Sequence, residues 1–234
     1  MTIAIMQPTF LPWIGYMCMI KQVDKFVFLD NVQFETRSWQ SRNKIKLQDR
    51  THILSLSCQK APQKTPIHLI KLDPQLHWRK KILQTLHHAY SKSLNYHKYF
   101  PILEKNLLQN QTLVELNTQL ITYFCQELNI KTPLFYASKL DLPLAKRENL
   151  LFEICQFFKA NSYLSPEGSK VYLNQPESIK LFTQGKISIK YFDFIHPCYK
   201  QIGKKFIDYL SIIDFLFNVR NPILEFQNIL ESQS

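Results

Sequence analysis

The segment Gln33–Asn43 carries the densest set of chemically useful side chains in the sequence. Arg37 and Arg42 supply planar guanidinium groups that suit carboxylates and phosphates, and Trp39 offers a flat face for stacking. The apolar run at 26–29 and Asp30 come just before it, which predicts a buried strand that ends in a carboxylate. Ligands of α/β sheets bind at the carboxyl ends of strands, so we expect a substrate site here. Its predicted binding residues are Gln33, Arg37, Trp39, Arg42 and Asn43. The alternative is a polar surface hairpin with solvated arginines.

A second candidate is the segment His196–Gln201, which follows a predicted strand at 187–192. The proline after His196 favours an extended backbone, which would aim the imidazole in one direction. A histidine with a pKa near neutrality can act as the general base for an amine or hydroxyl nucleophile. We therefore predict that His196 is catalytic and that Tyr199 and Gln201 bind substrate. The alternative is a histidine that is hydrogen-bonded within the fold or solvated at the surface.

Two carboxylates complete the predicted catalytic set. Asp30 ends the second predicted strand, and Glu167 lies in the turn after the predicted strand at 163–165. Gly168 can take a left-handed turn there. Asp30 and Glu167 are expected to orient hydroxyl or amino groups of a substrate.

Asp214 and Asn218 lie in the apolar stretch 211–218, which predicts a buried helix. A buried carboxylate needs a partner, because an unpaired buried charge is very costly. For Asp214 the sequence offers Arg37 or Arg42 as partners, or a capping role at the start of the helix. We assign Asp214 and Asn218 a structural or supporting role.

The pattern of apolar residues predicts an α/β fold with a mixed sheet that begins as a βαβ unit. The predicted strands of the first part are Thr2–Met6, Lys25–Asp30, Asn43–Lys46, His52–Ser57 and His68–Leu72, with a helix from Pro12 to Gln22. A helical subregion follows at about 76–130, where Thr112 and Glu115 form a capping-box pattern. The later βα elements are expected to return to the same core, so we predict a single domain over 1–234. Residues 221–234 are predicted to form a C-terminal extension.

Composition limits the classes of function. The chain has 234 residues, of which 45% are hydrophobic and 20% charged, as in ordinary globular proteins. It contains only four glycines, and their spacing fits neither a P-loop nor a Rossmann dinucleotide loop. Residues 60–100 contain eight lysines and arginines but a single acidic residue, within a chain of net charge +11. Nucleic acid, an anionic membrane face or a phosphorylated substrate would all suit this span, and an anionic carrier, a tRNA or a lipid-linked intermediate, is a candidate partner. The alternative is a solvated lysine-rich face.

The five cysteines, Cys18, Cys58, Cys125, Cys155 and Cys198, form no pair with metal-ligand spacing. We therefore expect no metal site, and the sequence points to no particular cofactor. Free cysteines, together with the lack of a signal-peptide pattern, predict a cytoplasmic protein. No apolar stretch approaches the length of a transmembrane helix.

Taken together, these segments resemble the WbqC-like protein family. The resemblance rests on motifs spread over nearly the whole chain in the expected order, namely 6–16 (MQPTFLPWIGY), 28–34 (FLDNVQF), 37–46 (RSWQSRNKIK), 163–165 (YLS), 196–201 (HPCYKQ) and 210–218 (LSIIDFLFN). Gln7, in the first of these motifs, joins the predicted substrate-binding residues. Some members carry His-Gln-Pro where this chain has Met6-Gln7-Pro8.

The resemblance implies a role in the biosynthesis of O-antigen lipopolysaccharide and other surface polysaccharides. For some members it implies a transferase that moves an amino-acid (glycyl) group. The substrate would then be a small anionic or sugar-containing molecule, held by Arg37 and Arg42 and deprotonated by His196.

Two other functions compete with the transferase. A strand, a polar turn, a helix and a strand that ends in Asp30 are similar to the opening of HIGH-type nucleotidylyltransferases, but the HxGH signature is missing. The other is a non-catalytic basic module that binds anionic carriers or nucleic acid through residues 60–100.

Overall fold

A computed structural model describes residues 1–233. In chain order its elements are β1 (Thr2–Met6), α1 (Ile14–Lys21), β2 (Lys25–Phe28), β3 (Arg42–Leu47), β4 (Arg50–Ser55), α2 (His77–Tyr90), α3 (Tyr96–Gln109), α4 (Leu113–Glu127), β5 (Leu134–Tyr136), α5 (Arg147–Phe157), β6 (Ser162–Pro166), α6 (Lys170–Leu173), α7 (Pro176–Gln184), β7 (Ser188–Phe192), α8 (Ile212–Asn218) and α9 (Pro222–Ser232). Three short 3₁₀ helices lie at 67–69, 137–139 and 167–169.

The chain forms two compact units. The first, the sheet unit, comprises Met1–Gln7, Cys18–Asn31 and Lys131–Phe194. The second, the helical unit, comprises Pro8–Met17, Val32–Ile130 and Ile195–Ser234. The expectation of a single domain stays a prediction.

The sheet unit contains a five-stranded sheet in the order β5-β2-β1-β6-β7. All of its neighbouring strands pair in parallel. Strands β1 and β2 are mainly apolar on both faces, as is usual for a buried parallel sheet, and residues 26–28 are fully buried. The predicted α/β class is confirmed, and so is the return of the C-terminal βα elements, because β6 and β7 extend the sheet from β1.

The sequence predicted β1 with the correct bounds, but α1 and β2 are shorter than predicted. Helix α1 begins at Ile14 rather than Pro12, after Leu11 takes a left-handed backbone with φ of 46°. Strand β2 ends at Phe28, so Asp30 lies in the loop beyond it. Gly168, which could take a left-handed turn, does not do so and lies in the 3₁₀ helix at 167–169.

In the helical unit β3 and β4 form an antiparallel hairpin that pairs Leu47 with Arg50. Its two-residue loop, Gln48 and Asp49, has φ values of 50° and 57°. Positive φ at both central residues is the type I′ geometry that matches the twist of a hairpin.

The segment His68–Leu72, predicted as a strand, is instead a 3₁₀ turn at Ile67–Leu69 followed by isolated bridges at Lys71 and Leu72. Its buried residues explain the error. Ile67 and Ile70 are both buried and lie three residues apart, which is the repeat of a 3₁₀ helix.

Three helices, α2 to α4, form the predicted helical subregion. The predicted start of α4 is confirmed at Thr112, whose Oγ1 accepts a hydrogen bond from the Glu115 amide at 3.3 Å. Within α2, Arg79 is 1% exposed, and its Nη1 donates to the carbonyl oxygens of Leu107 and Asn110. It therefore contributes to the interior and not to the basic surface expected over 60–100.

The last two helices end the chain. Ser211 caps α8, and the residues of α8 are buried throughout. The predicted extension contains α9, which buries Pro222, Phe226 and Ile229. No helix among residues 1–233 is long and apolar enough to cross a membrane.

Candidate functional site

The helical unit contains an open cleft of about 680 Å³ lined by residues 33–37 and 58–65, with Ser41 and Leu56. Two backbone bonds join the segments beneath it: the Phe34 amide donates to Thr65 O at 2.8 Å, and the Ile67 amide donates to Val32 O at 2.9 Å. The cleft thus brings part of the sequence-predicted segment 33–43 against the loop that precedes the 3₁₀ turn at 67–69.

Three exposed cations line this cleft, Arg37, Lys60 and Lys64, against a single lining acid, Glu35. No ion pair in residues 1–233 involves any of the three cations. Arg37 and Lys64 have left-handed backbones, with φ of 63° and 70°. Non-glycine residues in this conformation carry strain of about 1–3 kcal/mol.

Trp39 and Arg42 lie next along the chain. The Trp39 indole is 48% exposed, and Lys44 Nζ lies 5.4 Å from the centroid of its ring. Arg42 begins β3, is partly exposed and pairs with Ser55 across the hairpin. Both side chains are accessible, as a binding role requires.

Asn43 supports the fold. It is buried, and its Nδ2 donates to Phe10 O at 3.0 Å and to Leu11 O at 2.8 Å. These bonds satisfy two carbonyl groups in the strained turn before α1. Its predicted contact with substrate stays a prediction, but the structure gives this amide a clear structural task.

His196 lies among aromatic rings of the helical unit. The Trp13 ring stacks parallel to the imidazole with centroids 6.4 Å apart, and Tyr209 lies closer, at 4.9 Å. Phe206 and Tyr199 lie 6.0 and 6.2 Å away. Burial lowers the pKa of His196 below its usual 6.5, although the Pro197 carbonyl and the Asp208 carboxylate act in the other direction. The imidazole is therefore mainly neutral at neutral pH.

The hydrogen bond of His196 sets its tautomer. Nδ1 lies 2.9 Å from Pro197 O, a carbonyl that can only accept, so the neutral ring holds its proton on Nδ1. The lone pair of the ring is then on Nε2. A neutral imidazole with a basic nitrogen is the form in which histidine acts as a general base.

Tyr199, Gln201 and Asp214 lie in the same unit. Gln201 is bonded at both ends of its amide to Ile207, donating to its carbonyl at 2.7 Å and accepting from its backbone amide at 2.9 Å. Asp214 Oδ1 accepts from Tyr90 Oη at 2.8 Å, and no arginine in residues 1–233 forms an ion pair with it. The predicted pairing with Arg37 or Arg42 is therefore wrong. Asn218 donates to the Asp214 carbonyl at 2.8 Å, in keeping with a structural role.

Asp30, Glu167 and Gln7 belong to the sheet unit. Asp30 is 1% exposed, and its two carboxylate oxygens accept from the backbone amide and the hydroxyl of Ser138 at 2.8 and 2.6 Å. Glu167 is exposed and pairs with Lys170 at 2.5 Å. Gln7 follows β1 and is half-buried. The catalytic and binding roles of these three residues stay predictions.

The comparisons with known proteins agree with the motifs. A family model described as "WbqC-like protein family" matches residues 7–224. The chain belongs to the WbqC-like protein family. It is also 29% identical over 221 residues to "Uncharacterized protein Rv1507c" of Mycobacterium tuberculosis (strain ATCC 25618 / H37Rv), covering 93% of each chain. No solved structure matches the chain.

Several residues of this WbqC-like protein that shape the candidate site were missed by sequence reasoning. Lys60 and Lys64 were seen only as part of a basic span, although they share the cleft with Arg37. Asn117 lies in the middle of α4, where its Nδ2 donates to Pro8 O and Gln40 O at 3.1 and 2.8 Å. A polar residue on the apolar side of a helix was the available signal, because such a residue needs buried partners.

The helical unit of this family member thus offers two chemical features: a cationic cleft suited to a phosphate or carboxylate, and a neutral histidine among aromatic rings. Among residues 1–233, no three His, Cys, Asp or Glu side chains come together as a metal site would require.

Proposed function

We propose that this protein is a transferase that acts on an activated, anionic sugar in the biosynthesis of a surface polysaccharide such as O-antigen. The group transferred is an acyl group, with an aminoacyl group as the leading candidate from the family resemblance. Family membership supports the pathway, and the helical unit supports the chemistry of the substrate.

The cleft around Arg37, Lys60 and Lys64 is the observation that carries the proposal. Its volume of about 680 Å³ lies within the usual range for small-molecule sites, about 300–1,000 Å³. The three cations form no ion pair within residues 1–233, and one carboxylate lines the cleft with them, so the cleft favours an anionic ligand. Amide and hydroxyl groups of Gln33, Thr36, Gln59 and Thr65 line the same cleft and suit the hydroxyl groups of a sugar.

In this proposal His196 is the general base. Its lowered pKa keeps it unprotonated at neutral pH, so it can accept a proton from an attacking amine or hydroxyl group. Trp39 would stack on a sugar or base, and Arg42 would add a second guanidinium for the phosphate.

The binding step is tested by isothermal titration with UDP-, GDP-, dTDP- and CMP-linked sugars, with ATP and CTP included. The test variant is Arg37→Asn/Lys64→Asn, because asparagine tolerates the left-handed backbone at both positions. We expect at least one nucleotide sugar to bind the wild type and the affinity of the variant to fall tenfold or more.

The matched control is Lys159→Asn/Lys186→Asn. It removes the same charge from two exposed positions that also have left-handed backbones, with φ of 53° and 57°, and that do not line the cleft. An equal loss in this control would show that only overall charge matters, and failure of every nucleotide sugar to bind the wild type would contradict the proposal. Binding of ATP or CTP alone would favour the nucleotidylyltransferase instead.

Catalysis is tested separately with His196→Gln. Mass spectrometry would follow the bound nucleotide sugar in the presence of candidate acyl donors. We expect transfer by the wild type and a fall of at least a hundredfold in the variant, with binding retained. Unchanged transfer by His196→Gln would remove the histidine from the mechanism.

A second candidate function, the binding of an anionic carrier, is supported by the exposed basic side chains of α2 and of the turn that follows it. Lys80, Lys81 and Lys92 are exposed and form no ion pair within residues 1–233, and His87 and His88 are exposed beside them. This face suits the phosphates of a tRNA or a lipid-linked donor. If the affinity for the tRNA or the lipid-linked donor changes neither with salt concentration nor in Lys80→Gln/Lys81→Gln, this carrier-binding function is wrong.

A further inference from the structure

Residues 201–209 form a loop without helix or strand that places aromatic rings on His196. Tyr209 and Phe206, both from this loop, have centroids 4.9 and 6.0 Å from the imidazole. Tyr209 has a left-handed backbone with φ of 51°, which is unusual for an aromatic residue. Within the loop the Gln201 side chain is bonded to the Ile207 backbone, and a second support comes from outside it.

Asp49, in the type I′ turn of the β3–β4 hairpin, supplies that support. Its Oδ1 accepts from the backbone amides of Lys204 and Lys205 at 3.0 and 3.3 Å, and Oδ2 accepts from Lys204 at 3.1 Å. One carboxylate thus binds two consecutive amides of the loop. Bonds between a carboxylate and backbone amides are stronger than those between neutral groups.

Lys46 reinforces the same contact from β3. Its side chain is 4% exposed, and Nζ lies 3.0 Å from Asp49 Oδ1 and also donates to Lys205 O. The amide of Lys204 and the ammonium of Lys46 lower the pKa of Asp49 to about 2, so the carboxylate is charged at every physiological pH.

Gly203 makes this close approach possible. Its φ is +93°, and a Cβ built on it would lie 2.1 Å from Asp49 Oδ1. Any larger residue would therefore clash with the carboxylate and would also be strained in its backbone. By contrast, a Cβ on Gly168 would meet nothing within 4 Å.

We infer that Asp49 and Gly203 form a latch that holds residues 201–209 in place, so that Phe206 and Tyr209 pack against the His196 imidazole. Asp49 is then a positioning residue that acts on His196 through the loop. Its catalytic importance rests on the proposed role of His196 as a base, but the latch itself can be tested without any substrate.

The test is the pKa of His196, measured from the chemical shift of its Cε1 proton as a function of pH. The signal is assigned by its loss in His196→Gln. When the latch opens, the imidazole gains water, and we expect its pKa to rise toward the ordinary value of about 6.5. Asp208, the carboxylate that acts on His196, is unchanged in every test variant.

Two variants are designed to open the latch, and each has a matched control that makes a similar substitution elsewhere. Gly203→Ala introduces the clash, and Gly168→Ala adds the same methyl group in open space. Asp49→Gly removes the carboxylate at a position where φ is 57°. Its control, Gln48→Gly, also introduces a glycine into the turn, where φ is 50°, but leaves the Asp49 carboxylate in place.

We expect the pKa of His196 to rise in Gly203→Ala and Asp49→Gly and to stay at the wild-type value in the two controls. If Gly203→Ala does not fold, the second pair decides. An unchanged pKa in folded Asp49→Gly would overturn the latch, as would an equal rise in Gln48→Gly. Neither result depends on nucleotide-sugar binding in the cleft, so the proposed function would stand or fall separately.

Discussion

Tyr90 Oη donates a hydrogen bond of 2.8 Å to Asp214 Oδ1 in the interior of the helical unit. Both residues are buried, with exposures of 1% and 0%. Burial raises the pKa of Asp214 to about 6, even though hydrogen bonds from Tyr90 and Tyr199 and the charge of Lys46 act to lower it. The bond thus joins α2 to α8 at a carboxyl group that titrates close to neutrality.

This relationship predicts how stability depends on pH. The pKa of Asp214 is higher in the folded chain than its usual 3.8, so the folded state binds the proton more tightly. Stability from this group is present below about pH 4 and is lost as pH rises through about 6. A difference of about two pKa units corresponds to roughly 3 kcal/mol in the free energy of unfolding.

Asp214→Asn does not titrate, so its unfolding free energy relative to the wild type should rise by roughly 2 kcal/mol between pH 4 and pH 7. Urea denaturation at several pH values measures this. Asp193→Asn provides a control, since it makes the same substitution at an exposed position. Parallel pH curves for Asp214→Asn and the wild type would contradict the prediction.

Substitution of Arg79 should destabilise the protein far more than substitution of its neighbour Lys80. Arg79 Nη1 donates to Asn110 O at 3.0 Å, and the guanidinium lies 4.6 Å from the Trp78 ring centroid. Arg79→Met should therefore cost about 2–4 kcal/mol of stability, because it leaves buried carbonyl groups without a donor. Lys80→Gln should change stability by less than about 0.5 kcal/mol.

Urea denaturation of the two single variants checks this contrast. It also matters for any study of carrier binding, because a variant that changes Arg79, Lys80 and Lys81 together would confuse unfolding with lost affinity. Equal stability of Arg79→Met and the wild type would show that the guanidinium is not needed inside the helical unit.

Asn43 and Arg42 give a similar contrast within the sequence-predicted site. Asn43→Ala removes both bonds to Phe10 O and Leu11 O and should lower the unfolding free energy by about 2–4 kcal/mol. Arg42→Ala should cost less than about 1 kcal/mol, since its side chain is partly exposed and forms no ion pair within residues 1–233.

Nucleotide-sugar titration then separates the two roles. We expect Arg42→Ala to bind more weakly while it folds normally, and Asn43→Ala to lose stability first. If Asn43→Ala is as stable as the wild type but binds the nucleotide sugar weakly, the Asn43 amide contacts the substrate.

The sequence predicted the parts of the fold that depend on local patterns. Strand β1 has the expected bounds because polar residues stand at both ends of a short apolar run. Thr112 caps α4 because an N-cap depends on two residues that are three apart in the sequence. The strand predicted at His68–Leu72 was wrong. The buried residues Ile67 and Ile70 lie three residues apart, as in a 3₁₀ helix, whereas the side chains of a strand repeat every two residues.

Left-handed backbones were also hard to predict in a chain with only four glycines. Arg37, Asp49 and Lys64 take this conformation, whereas Gly168 does not. Asp49 lies in a two-residue hairpin loop of type I′ geometry that contains neither asparagine nor glycine, so the usual residue signal for this turn is missing.

The motifs directed attention to residues 33–43, but they did not predict which other segments these residues contact. Residues 33–37 do line a cleft, yet the lysines opposite them come from a loop more than twenty residues later in the chain. Arg79 looked like a surface residue because it precedes two lysines, and only the carbonyl groups at the end of α3 reveal its partners. Such long-range hydrogen bonds are invisible in a single sequence.

The cysteines provide the last prediction, which concerns reactivity. Burial raises the pKa of Cys18, Cys125 and Cys155 to about 12 and that of the half-buried Cys58 to about 11. The thiolate is the reactive form, so at pH 8 these four thiols should react slowly. Cys198 is exposed and should react first, at least about 100-fold faster than the others.

An aromatic disulfide reagent at pH 8 measures this as one fast thiol per chain, followed by a slow phase. Cys198→Ser should lose the fast phase and keep the slow one, and the wild type in urea should show five rapid thiols because unfolding removes the burial. A fast phase that persists in Cys198→Ser would mean that a second thiol is accessible. Cys58 would then be the residue to examine, because it lines the cationic cleft, where a bound anionic sugar would slow its reaction.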